Sequence, residues 1–76
     1  MTGTEKQIIW AEQIKAEAIG KLERESEARR EALADPSKSE RARERHQTAL
    51  AQATARITEI QSLMDAAWII SNRSSL

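Results

Sequence analysis

The dipeptide Asp35-Pro36 limits the fold more than any other stretch of this chain. It holds the only proline in 76 residues and stands near the middle of the sequence. A residue before proline is pushed out of α geometry, so a helix arriving from the N-terminal side must end there. Both flanks are rich in Ala, Glu, Arg, Gln, Ile and Leu, while Val, Phe and Tyr are absent and glycine occurs only twice. Strand formers are therefore scarce and helix formers abundant. The expected fold is all-α: two long helices joined by a tight turn, folded back as an antiparallel hairpin.

The boundaries follow from local chemistry. Thr4 and Gln7 have capping-box spacing, so the first helix is expected over about residues 4–34. The turn is expected at 35–37. The second helix then starts either from an Asp35 cap with Pro36 at the first helical position, or from a Ser37 cap with Glu40 as its partner. It is expected to run from about 38 to 72, with Arg73–Leu76 fraying.

Apolar residues fall in one stripe per helix. Ile8, Ala11, Ile14, Ala18, Ile19, Leu22 and Leu33 share a face of the first helix. Leu50, Ala53, Ile57, Ile60, Met64, Ala67 and Trp68 share one of the second. Between Glu23 and Gln47 the stripes are interrupted by Ser26, Arg29 and His46, which predicts a charged stalk beside the turn. A hairpin this small buries little by itself. Completion by homodimerisation into a four-helix bundle is the expected remedy.

Several apolar residues lie off the stripes. Ile8, Ile9 and Trp10 are neighbours, and a helix turns about 100° per residue, so they cannot share one face. Ile9, Trp10, Leu63, Trp68, Ile69 and Ile70 all belong to the open end of the hairpin. They are the candidate protein-interaction residues, since clustered exposed apolar groups and tryptophan in particular mark interfaces. Glu12, Asp65, Asn72 and Arg73 lie beside them as candidate polar contacts. Folding back is expected to pair Glu12 or Glu5 with Arg73, and Lys6 or Lys15 with Asp65.

Chemistry beyond binding has little to work with. Cysteine is absent, which removes disulfides and thiolate metal sites and agrees with a cytoplasmic setting. His46 is the only histidine, and the glycines are isolated. No catalytic, cofactor or metal site is expected. No apolar run approaches the roughly 18 residues of a membrane span, and MTGTEKQ lacks a signal-peptide layout. Arg41, Arg43 and Arg45 form the one basic cluster and the alternative, nucleic-acid-binding site. Yet Lys21 to Gln47 carries eight basic and seven acidic side chains, almost cancelling the positive field that phosphate binding needs.

The two end segments, KQIIWAEQIK and DAAWIISNR, carry a resemblance. They resemble a small helical module of phages, prophages and plasmids that reads K-Q-x-x-W-A-E-x-I near one end and D-A-x-W-W-I-D-N-R near the other. The matching positions are Lys6, Gln7, Trp10, Ala11, Glu12 and Ile14, then Asp65, Ala66, Trp68, Ile70, Asn72 and Arg73. Ile69 replaces an aromatic residue and Ser71 replaces an aspartate. The resemblance covers about a third of the chain and implies a mobile-element origin. By analogy, it points to a small inhibitor of host defence of the anti-CRISPR type, one that occupies a protein surface.

Overall fold

The computed structural model describes all 76 residues. Helix α1 spans Glu5–Ala34, α2 spans Glu40–Ser62 and α3 spans Ala66–Ser71, followed by a 3₁₀ turn over Arg73–Ser75. The first two helices form the antiparallel hairpin, and α3 packs back against α1. The result is a rod of 51 × 17 × 14 Å.

α1 has the predicted limits. The Thr4 hydroxyl accepts from the Gln7 amide at 3.2 Å, and the Gln7 side-chain oxygen accepts from the Thr4 amide at 3.0 Å. At the other end, the chain leaves the helix at Asp35 in an extended conformation. One carboxylate oxygen of Asp35 accepts from the amide and hydroxyl of Ser37, forming an Asx turn. These bonds hold the Asp35 carboxyl below its ordinary value, with smaller help from Lys38 and Arg43.

α2 departs from expectation at both ends. Its cap is Ser39, whose hydroxyl accepts from the Ala42 amide, so the helix starts two residues later than predicted. With the Ser37 hydroxyl spent on Asp35, Ser39 is the next residue able to cap. At the far end α2 stops at Ser62, not near residue 72. Leu63 leaves it in an extended conformation, and Asp65 forms an isolated parallel bridge with Thr2.

Non-local partners hold this break open. The Thr2 amide donates to the Met64 carbonyl at 2.7 Å, and the Ala66 amide donates to the Thr2 carbonyl at 2.9 Å. Lys15 reaches across from α1 and donates to the carbonyls of Gln61 and Leu63, at 3.1 and 2.8 Å. A cation on the terminal carbonyls of a helix satisfies orphan acceptors and the negative end of its dipole. Beyond the break, the Asp65 carboxylate caps α3 by accepting from the Ala67 and Trp68 amides.

The break resets the helical phase, and the predicted stripe fails beyond it. Ala66 and Ile69 are fully buried, while Met64, Ala67 and Trp68 are exposed. The core at this end is Ala11, Ala66 and Ile69, with Met1, Ile8, Ile14, Leu63 and Leu76 packed around it. Leu76 therefore belongs to the core margin. Its 3₁₀ turn is held by a bond from Arg56 to the Ser75 carbonyl at 2.9 Å, where fraying was expected.

The stalk is as polar as predicted. Ser26 is buried and returns its hydroxyl to the Leu22 carbonyl at 2.8 Å, the usual way a helix hides a serine. Arg29 meets His46 Nδ1 at 3.0 Å. Arginine only donates, so His46 Nδ1 is the acceptor of this contact.

A candidate protein-interaction surface

The open end of the hairpin is a clasp of three pieces: the first turns of α1, the 63–65 break, and α3 with its tail. The two end motifs meet here, and their residues divide by task. Gln7 completes the α1 cap, Asp65 caps α3, and Ala11 and Ala66 form the core. Asn72 closes α3 by donating from Nδ2 to the Trp68 carbonyl at 2.8 Å.

Arg73 and Asp65 do not form the predicted ion pairs. The Arg73 guanidinium lies over the Trp10 ring, 5.4 Å from its centroid, and donates to the Ile70 carbonyl at 2.6 Å. Stacking on an indole serves a planar cation as well as an exposed carboxylate does, since the ring face is negative. Lys15 serves the α2 terminus, as above. Glu12 stays exposed on α1.

The six candidate apolar residues do not form one patch. Ile69 is the correction: it is fully buried, because the break turns it toward α1. Leu63 and Ile70 are half-buried, Leu63 against the core. Ile9, Trp10 and Trp68 stay at the surface, 53%, 47% and 46% exposed. Met64, expected inside, joins them at 57%. Trp10 walls a groove of about 260 Å³ with Ile14, Arg73 and Leu76. Met64 walls another of about 400 Å³ with Met1, Glu12, Ala16 and Ile19. The clasp thus presents apolar groups on two sides.

Met64 was missed because its exposure depends on the phase after the break. A local signal for that break did exist: Asp65 stands just before an apolar run, the position of a helix cap.

The arginine cluster is divided too. Arg41 and Arg45 line one shallow surface with Glu44 and Thr48. Arg43 is turned away and donates to the Asp35 carbonyl at 3.3 Å. No group of three His, Cys, Asp or Glu side chains converges at the spacing of a metal site. No helix is long and apolar enough to cross a membrane.

No protein-family model, curated protein or solved structure matches this chain.

Proposed function

We propose that this protein is a non-catalytic interaction module: a helical hairpin that associates with a second copy and occupies the surface of a protein target. One observation carries this reading. The chain has only two aromatic side chains, Trp10 and Trp68, and both are about half exposed while the core is built from alanine and isoleucine. A domain this short of buried surface gains most by placing large side chains inside. Leaving both tryptophans outside fits their use as anchors, since tryptophan heads the residues that dominate binding energy.

The biological setting we propose comes from the resemblance of the end segments to a phage and plasmid module. In that setting the chain acts inside a bacterial cell and blocks a host defence complex of the CRISPR type. Of the motif residues, Gln7, Ala11, Asp65, Ala66 and Asn72 have structural tasks in the clasp. Trp68 and Lys6 are exposed and remain for recognition, with Trp10 and Arg73 serving as a stacked pair.

The test is plaque formation by a targeted phage on a CRISPR-immune host that expresses the chain. Restored plaquing that is lost in Trp68→Ala, Trp10→Ala and Ile9→Asp, with helical circular dichroism unchanged, is the expected result. Full activity in all three folded variants overturns the proposed surface. Failure to protect phage against any CRISPR type overturns the inhibitor reading.

A further inference from the structure

The two broad sides of the hairpin are finished differently. One is covered at its clasp end by the chain's own tail, where Arg73 lies on Trp10, Leu76 packs at the core and Arg56 holds the Ser75 carbonyl, and beyond the tail keeps only a groove of about 220 Å³ between Leu22, Glu25, Ala49 and Ala53. The other is open along its length. The groove walled by Ala16, Ile19 and Met64 passes Gln61 and continues as a wider one of about 680 Å³, between Glu23 and Arg30 on α1 and Thr54 and Thr58 on α2.

We propose that a second copy of this chain covers the open side, with α1 lying antiparallel on α1 of the copy and the two-fold axis level with Lys21 and Thr54. The inference rests on the dimeric reading above and adds the face and the register.

Area is the first argument. A folded monomer of this mass, 8.5 kDa, is expected to expose about 4,650 Å². The chain exposes 5467 Å². The excess is close to the roughly 800 Å² that each partner contributes to a standard interface.

Charge is the second. Glu12, Ala16, Ile19, Glu23 and Arg30 follow one another along the open flank of α1. With the axis at Lys21, an antiparallel copy brings Glu12 opposite Arg30, Ala16 opposite Ser26 and Ile19 opposite the stem of Glu23. Symmetry makes each contact twice. In the same arrangement Thr54 of α2 meets its own copy at the axis, and Gln61 meets Gln47. The α2 flank there, Thr54, Ile57, Thr58 and Gln61, carries no charge to desolvate. Trp10 lies on the tail-covered side, so it stays outside this contact.

The experiment is the mass of the full chain by light scattering and sedimentation over a concentration series, for the parent and four variants. The parent is expected to dimerise. Glu12→Arg and Arg30→Glu each set like charges against one another twice and are expected to weaken the dimer by about tenfold or more. The double variant reverses the pair and is expected to return to within about threefold of the parent. Thr54→Cys supplies the only thiol, and a short bis-maleimide is expected to link two copies through it. A parent that stays monomeric at every concentration overturns both the dimer and this face. A stable dimer that ignores both charge reversals and does not cross-link at Thr54→Cys overturns the face and register while leaving the dimer intact.

Discussion

Gly3 is the residue on which the clasp closes. Its φ is 135°, a region that side chains avoid, and a Cβ there would sit 2.9 Å from the Ala66 Cβ. Gly3→Ala is expected to lower stability by about 1–3 kcal/mol in urea denaturation, with no change in the stalk. Gly20 is the opposite case. It lies inside α1, and a Cβ would meet only the end of Arg24 at 3.8 Å. Gly20→Ala is expected to gain about 0.5–1 kcal/mol, read as a melting temperature several degrees higher. Asp35 ties the turn to acidity. Its carboxyl is held below the ordinary value of 3.8 by the Ser37 bonds, so its contribution is whole above that pH and is lost as pH falls through the lowered value. Asp35→Asn is expected to flatten the acid limb of the stability profile below about pH 4 and to leave the neutral region with the same slope.

Among the elements, α3 is the most exposed to single changes. It has six residues, too few to persist alone, and is held by Ile69 in the core and Asp65 at its cap. Ile69→Ala is expected to cost about 2–4 kcal/mol and to release α3, seen as faster amide exchange over 66–71 while α1 keeps its protection. α1 and the body of α2 were legible from the sequence because their signals are local: a capping box, a proline stop and 3.6-residue apolar stripes outside the polar stalk. The stop at Ser62 was not legible in that way. Its stabilising partners, Thr2 and Lys15, lie more than forty residues away in sequence, and Leu63-Met64 continues the apolar pattern as if the helix ran on. The candidate surface inherited that error selectively. Ile9 and Trp10 precede the break and stay outside as read, whereas Ile69 and Met64 exchanged places with it. Trp68 was expected on the stripe and is turned outward by the same shift.

At the scale of the whole molecule, burial is concentrated at one end of a 51 Å rod. A chain completed by its own copy is expected to melt at a temperature that rises with protein concentration, because dilution favours the less stable monomer. Calorimetric scans over a hundredfold range of concentration check this. In the proposed antiparallel dimer the two tryptophan-bearing clasps stand at opposite ends, so a target with two suitably spaced sites would be held twice. The placement of the chain ends has a mechanical consequence as well. Thr2 is bonded to Met64, and Leu76 packs against the same core, so both ends emerge from the clasp. Tension between them loads the tail, α3 and the Thr2 bridge one after another, then parts α1 from α2 like a zip. Tension between the 35–39 turn and the N-terminus would instead run along α1 itself. Drawn by its termini, the molecule is therefore expected to open contact by contact from the clasp toward the turn.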